Sequence, residues 1–336
     1  MRGFLMNRYG GPEVTELRDD ISKPTPQAGE VCVSVCAAGL NPVDFKIREG
    51  KLKAIYRYQL PVVLGGEIAG FVHSVGQGVT RFSEGDRVFA RLSKKGMGGL
   101  AEFVVVEERH LAIVPDSLDF ETAAAVPLAG LTALQVLRDE IGVREGQRIF
   151  ITGGAGGVGT FAIQIAKYFG ATVITTASPR GEKLVRRLGA DEVIDYTSER
   201  FDELLSDCDG VFDLIGGMDL ERSFSVTRRG GTVVSVAGLP EPQTAFRDLG
   251  RGFGMAALFW VISFRLRRIA SRYGVRYRFM FMHPSGADLD FLASLIQEKK
   301  VEVVVDSVFS FEDTHEAFAL LESGRAKGKI VVKIAE

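Results

Sequence analysis

The stretch ITGGAGGVGTFAIQIAKYFGATVITTAS, Ile151 to Ser178, constrains this chain more than any other. An apolar β-type run, RIFIT, enters a glycine-rich turn, and a helix-patterned run, VGTFAIQIAKYFG, leaves it. A second β-type run, TVITTA, follows. Gly154, Gly156 and Gly159 stand at G-x-G-x-x-G spacing between a strand and a helix. There the glycines let the backbone approach a pyrophosphate held at the positive helix end. The segment therefore predicts a dinucleotide site, with a structural tight turn as the alternative.

The end of the second β-run selects the nucleotide. Sites for NAD usually place Asp or Glu about 20 residues beyond the first glycines, to bond a ribose hydroxyl. Here the chain reads TTASPRGEK, with Ser178 in place of the acid and Arg180 and Lys183 following. A hydroxyl and two cations suit a 2′-phosphate through charge-assisted bonds. The reading is NADP, against the alternative that the two cations merely solvate a helix.

The rest of the chain frames that unit. At 336 residues it predicts about two domains. The amino-terminal part carries short β-rich runs, Glu30–Gly39, Gly70–Gly76, Gly85–Leu92 and Ala101–Glu108, broken by Gly, Pro and Asp. After Pro115 the texture becomes helical over Glu121–Leu137. Strand and helix patterns then alternate to Val236, which argues for βαβ units on a parallel sheet. A strand over Arg278–Met282 and a helix over Ala287–Lys300 follow, and the tail is strand-rich again.

Composition excludes several function classes. A net charge of −2 gives no global drive toward nucleic acid. Cys32, Cys36 and Cys208 are too few for a disulfide framework, fit a reducing compartment, and read as buried thiols. Met1 leads almost directly into a patterned segment, which predicts a cytoplasmic protein or a mature organellar form. The longest apolar run, Met255–Ile262, is far short of a membrane span.

The motifs GGEIAG, GDRVFA, PLAGLTA, GGAGGVG, LGADEVIDY and GKIVV occur in the order seen in medium-chain dehydrogenases/reductases, which the chain resembles over essentially its whole length. The resemblance implies an α/β fold: a Rossmann doubly wound parallel sheet plus a β-rich GroES-like catalytic domain. The expected boundaries are 1–122 with 301–336 for the GroES-like domain, and 123–300 for the NADP-binding domain, including a basic insert at 247–278.

Many members of that family use zinc, and this chain departs from them. The first metal cysteine would fall at Asn41 and the metal histidine at Gly66, and the four-cysteine structural loop has no counterpart. Glu67 and Asp44 remain, but two carboxylates without His or Cys make a poor zinc site. His73, His110, His283 and His315 are scattered. No metal is expected. NPVDFK (Asn41–Lys46) instead resembles the zinc-free branch of quinone oxidoreductases and alkenal reductases. LGADEVIDY, YRFMFM and GRAKGKIVV resemble its reticulon-interacting subfamily.

By this resemblance Ala155, Gly157, Val158, Ser178, Lys183 and Tyr196 contact the cofactor. Ile215 and Gly238 pass under the dinucleotide, and Phe281 lies near the nicotinamide. Lys329 lies near the phosphates, and Asn41 and Thr132 line the nicotinamide end. For Tyr196 and Phe281 plain core packing is the alternative.

Hydride delivered to an α,β-unsaturated carbonyl or a quinone leaves a charge that delocalises, so a few hydrogen bonds can replace a metal. The Asn41 amide is a candidate donor. Tyr56 and Lys46 are further catalytic candidates, with loop packing the plainer reading for Tyr56. The expected activity is NADPH-dependent reduction of quinones or enones. The alternatives are a metal-free carbonyl reductase and an NADP-binding interaction protein with little turnover. The insert Phe246–Phe279 carries eight arginines against one acid, Asp248. It reads as structural cover or a homodimer contact, with an anionic membrane surface as the other possibility.

Overall fold

The computed structural model describes residues 1–93 and 97–335. Its Cα packing divides the chain into two units. One comprises Met1–Leu131, His283–Lys299 and Val303–Glu336, and the other Thr132–Met282 with Lys300–Glu302.

The first unit is built on β-strands. These are β1 (Gly3–Met6), β2 (Thr15–Arg18), β3 (Glu30–Leu40), β4 (Val62–Val63), β5 (Glu67–Val75), β6 (Arg87–Arg91), β7 (Phe103–Glu107) and β8 (Leu111–Ile113). Helix α1 (Pro42–Arg48) leaves the end of β3, and α2 (Phe120–Ala124) and α3 (Pro127–Gln135) follow β8. The helical run expected over Glu121–Leu137 is broken at Pro127, whose ring cannot continue a helix interior.

The second unit alternates strand and helix, as the glycine turn requires. It runs β9 (Arg148–Ile151), α4 (Gly157–Tyr168), β10 (Thr172–Ala177), α5 (Pro179–Arg187), β11 (Glu192–Asp195), α6 (Phe201–Leu204) and β12 (Cys208–Asp213). Then come α7 (Gly217–Val226), β13 (Thr227–Ser235), α8 (Phe253–Ile262), α9 (Phe264–Tyr273) and β14 (Arg276–Phe279). The chain closes on α10 (Gly286–Gln297), β15 (Val305–Phe309), α11 (Thr314–Glu322) and β16 (Lys329–Lys333) of the first unit.

The six strands of the second unit are all parallel, in the order β11-β10-β9-β12-β13-β14. Two βαβ halves thus run outward from β9, a doubly wound Rossmann sheet. Ile149, Phe150, Val173, Ile174, Val211, Phe212, Val233 and Val234 are all fully buried, as expected where helices cover both faces of a parallel sheet. In the first unit β15-β16-β3-β5-β6-β8 form one path of a seven-stranded sheet, with β7 paired to β3, and β2-β1-β4 form a smaller sheet. Both chain ends therefore build the β-rich unit, because β16 pairs antiparallel with β3.

Two sequence expectations shift. The strand expected over Arg278–Met282 lies at Arg276–Phe279, so Phe281 stands just beyond it. The helix α10, which the sequence boundaries group with 123–300, packs in the first unit. There Gly286 fits against the backbone of Arg109 and Leu111, where a Cβ would meet the Leu111 carbonyl at 2.4 Å. Cys32, Cys36 and Cys208 are all buried free thiols, and burial raises each, Cys208 to about 11.

Candidate functional site

The strand order reverses at β9, between β10 and β12. In open α/β sheets ligands bind outside the carboxyl ends of the strands at such a point. Gly154–Gly159 follow β9, Ser178 follows β10, Tyr196 follows β11, Ile215 follows β12, Gly238 follows β13, and Phe281 follows β14. Because the strands are parallel, all six positions lie along one rim of the sheet.

The glycines on this rim do different jobs. A Cβ on Gly159 would meet Gly153 O at 2.5 Å and Gly154 Cα at 2.7 Å, so this glycine lets α4 pack tightly against the turn. At Gly156 the nearest atom to a Cβ is Gly153 O, at 3.4 Å. Packing within the protein therefore does not demand a glycine there. Gly156 is the N-cap of α4 and offers no side-chain bond, so the first-turn N–H groups beside Gly157 and Val158 face outward from a twelve-residue helix. Ala155 is buried beneath them. These residues fit a dinucleotide pyrophosphate.

Ser178 caps α5 directly after β10, and its side chain makes no capping bond. Arg180 and Lys183, in the first turns of α5, are exposed. Among the described residues neither forms an ion pair, whereas their neighbour Arg186 is engaged by Glu182 at 2.8 Å. The Ser178 hydroxyl thus makes no capping bond, and both cations are unpaired among the described residues. Tyr196 and Ile215 are each 55% exposed, which removes core packing as the account of Tyr196. Phe281 is half-buried and stacks edge-on to Phe279, with ring centres 5.0 Å apart. Gly238 leaves no room for a Cβ, which would meet Leu220 and Tyr277 within 2.7 Å.

Two buried carboxylates that hold this rim escaped the sequence reading. Asp213, at the end of β12, accepts from Ser235 Oγ at 2.6 Å and from the N–H groups of Ile215 and Gly216. Burial pushes its carboxyl above the ordinary value. It fixes the turn that presents Ile215, and its signal in the sequence is an acid ending the apolar run GVFD. Asp248 pairs with the fully buried Arg278 and accepts the Phe281 N–H at 2.9 Å. That bond draws Phe281 off the line of β14. Arg278 also meets Glu140 at 3.3 Å and Glu241 at 3.0 Å. Thr132 is buried in α3, at the start of this unit.

In the first unit, Asn41 sits at the N-terminus of α1, where its N–H donates to Asp44 at 2.8 Å. Its Oδ1 accepts from Lys329 Nζ at 2.6 Å, and its Nδ2 donates to Glu67 Oε1 at 2.6 Å. The ammonium fixes one end of the amide and the carboxylate the other, so the orientation is unambiguous and one Nδ2 hydrogen remains. Lys329 donates also to Leu40 O at 2.8 Å and Glu67 Oε1 at 2.7 Å. The resemblance puts Lys329 near the cofactor phosphates. The structure assigns it elsewhere: its three donors are engaged inside this unit and its side chain is 3% exposed.

Asn41, where the family's first metal cysteine would fall, and the carboxylate of Glu67, next to the histidine position Gly66, both bind this ammonium group. Glu67 Oε2 accepts the Leu128 N–H at 2.6 Å, so both its oxygens are engaged. Against Gly66 lies the buried Arg91 guanidinium, 2.4 Å from where a Cβ would stand. An amide, a committed carboxylate and two resident cations do not fit zinc. Among the described residues no cluster of His, Cys, Asp and Glu could hold a metal ion. His110 is buried, His73 lies 2.6 Å from Lys23, and His315 packs edge-on to Phe4.

Burial raises Asp44 to about 6 despite the nearby Arg91. Lys46 lies on α1 and is lowered by burial and by Lys51. Tyr56 is half-buried in the turns after Gly50. Lys46 forms no ion pair among the described residues.

Family models match residues 27–116 as an alcohol dehydrogenase GroES-like domain and residues 188–332 as a zinc-binding dehydrogenase. The chain is 38% identical to the Arabidopsis thaliana chloroplastic NADPH-dependent alkenal/one oxidoreductase, over 99% of this chain and 79% of that one. It is 35% identical to the Danio rerio mitochondrial NAD(P)H oxidoreductase RTN4IP1, over 100% of this chain and 92% of that one. The Escherichia coli quinone oxidoreductase, solved with NADPH, superposes with a TM-score of 0.83 at 27% identity, covering 99% of this chain and 100% of that one. The zinc in one matching description does not extend to the donor set here. With matches spanning both units, the chain belongs to the medium-chain dehydrogenases/reductases, in the branch of quinone oxidoreductases and alkenal reductases.

Proposed function

We propose that this protein is an NADPH-dependent oxidoreductase that reduces α,β-unsaturated carbonyls or quinones without zinc. The observation that supports the zinc-free reading is the Lys329 ammonium bonded to Asn41, where the family's first metal cysteine would fall, and to Leu40 and Glu67 beside it. The relatives' names supply the substrate class and the cofactor.

Bound NADPH supplies the hydride. The glycine turn 154–159 holds the pyrophosphate at the start of α4. Ser178, Arg180 and Lys183 take the 2′-phosphate through charge-assisted bonds. Tyr196 flanks the adenosine half, Ile215 and Gly238 pass beneath the dinucleotide, and Phe281 and Thr132 border the nicotinamide. Asn41, held rigid by Lys329 and Glu67, offers its remaining Nδ2 hydrogen to the oxygen on which charge develops. A preorganised donor of this kind needs no reorientation during reaction. The proton that completes the reduction comes from solvent or from Tyr56 or Lys46.

A homodimer belongs to the same proposal. β14 ends the parallel sheet, and its outer edge has no partner strand among the described residues. A cytoplasmic location does too, although relatives carry mitochondrial and chloroplastic names. Sedimentation velocity and cell fractionation check these two points.

The deciding experiment follows NADPH oxidation with excess chelator present, against a small quinone, a 2-alkenal, a cyclic enone and a saturated ketone, with NADH alongside. Turnover of the quinone or the enones, preferring NADPH, is expected. Activity restricted to the saturated ketone, or abolished by the chelator, overturns the reading. Asn41→Ala should lower kcat more than it weakens NADPH binding, and equal losses would move Asn41 to cofactor binding alone.

A further inference from the structure

The helix α8 is apolar all round and stands on the surface. Its sequence, FGMAALFWVI, contains no charged residue, and only Ala256 and Phe259 are buried. Phe253 is 85% exposed, Val261 64% and Trp260 52%, and Leu258, Ile262 and Phe264 are exposed beside them. A contiguous apolar face of this kind marks an interaction surface rather than ordinary scatter.

The flank of that face is cationic. On α9, Arg265, Arg268 and Arg272 are exposed, and Arg267 stacks its guanidinium 5.2 Å from the Trp260 ring centre. No acid occurs between Leu249 and Arg278. Glu221 engages Arg265, but among the described residues Arg268 and Arg272 have no acidic partner. A groove of about 490 Å³ runs beside α9, lined by Arg267, Ser271 and Arg276 among others.

We propose that α8 and α9 form a docking surface for an anionic lipid bilayer. A ten-residue helix is too short to cross a bilayer, which takes about 20 residues, so α8 lies in the interface with its apolar side chains in the acyl boundary. The arginines of α9 then meet lipid phosphates. A second copy of this chain fits the surface less well. A symmetric contact sets the same patch against itself, and the α8–α9 segment carries arginines but no acid to pair with them.

The test needs no catalytic activity, so it stands apart from the proposed reaction. Trp260 is the sole tryptophan, and its emission reports directly on the helix. The whole protein is mixed with vesicles of phosphatidylcholine, with and without about one-quarter phosphatidylglycerol. Co-sedimentation with the anionic vesicles, a blue shift of Trp260 emission and weakening by salt are expected. Arg268→Gln and Arg272→Gln should each weaken partitioning about fivefold. Val261→Asp should reduce it at least tenfold, with an unchanged thermal melt because the side chain is exposed.

Absence of co-sedimentation with an unshifted emission would overturn the proposal, as would equal binding of the Val261→Asp protein. Equal binding to neutral vesicles would overturn the role of the arginines. A lipid-free oligomer that Val261→Asp dissociates would assign the face to a second copy instead.

Discussion

The ammonium of Lys329, on the last strand of the chain, lies 2.7 Å from the carboxylate of Glu67, and both side chains are buried. They stand 262 residues apart in sequence, brought together because β16 and β5 both pair with β3. Between them the Asn41 amide is clamped at both ends. The cluster in the β-rich unit is therefore a buried ion pair that holds an amide.

Removing one partner of a buried pair leaves the other charge uncompensated, at a cost of about 3–5 kcal/mol. Lys329→Met and Glu67→Gln should each destabilise the protein by roughly that amount in urea unfolding, and the double variant by clearly less than the sum. Near-neutral, additive effects would mean that the pair does not hold this site.

The two glycines of the turn should separate. Gly159→Ala drives a Cβ into the backbone of Gly153 and Gly154, so it should cost about 1–3 kcal/mol of stability. Gly156→Ala meets nothing closer than 3.4 Å and should leave the melt within about 0.5 kcal/mol. It should still raise the NADPH dissociation constant about tenfold or more, because the methyl group stands where the pyrophosphate approaches. Calorimetric titration beside a thermal melt checks both. Undiminished NADPH affinity in Gly156→Ala would remove the pyrophosphate from this turn.

Specificity for the 2′-phosphate is tested by Arg180→Ala and Lys183→Ala. Each removes a cation that has no ion-pair partner among the described residues, so the fold should not respond. The loss of a charge-assisted bond worth about 1.5–3 kcal/mol predicts a roughly 10- to 100-fold weaker NADPH complex. NADH affinity should hardly change. Parallel losses for both nucleotides would place the two cations away from the phosphate.

Asp44 gives the protein a pH dependence of known sign. Its folded value of about 6 lies above the ordinary 3.8, so the native state holds this proton more tightly than the unfolded chain does. Its contribution to stability is full below about 4 and is lost as pH rises through about 6. Asp44→Asn keeps an acceptor for the Asn41 N–H and removes the titration. Relative to the wild type, the variant should gain stability across that window, by up to about 3 kcal/mol at neutral pH. Urea midpoints measured across the window check this, and parallel curves for the two proteins would refute it.

The Rossmann unit was legible because its evidence is local. A strand, a glycine turn, a helix and a second strand occupy one continuous stretch, and hydrophobic period and glycine spacing specify them without reference to the rest of the chain. Ser178 could be placed because it ends a recognisable β-run, whereas Tyr196, Ile215 and Gly238 came from the family resemblance; parallel strands bring all four to one rim. What only the tertiary structure decided rests on burial and long-range pairing. The resemblance alone put Lys329 near the cofactor phosphates, and only the pairing of β16 with β3 shows its ammonium buried against Glu67. Asp213 and Asp248 look like ordinary acids until the packing around them leaves Ser235, Arg278 and backbone N–H groups as their partners. The exposed face of α8 carries the same composition as a core helix, and sequence cannot tell the two apart. Only the arrangement of neighbouring elements determines which apolar side chains reach solvent.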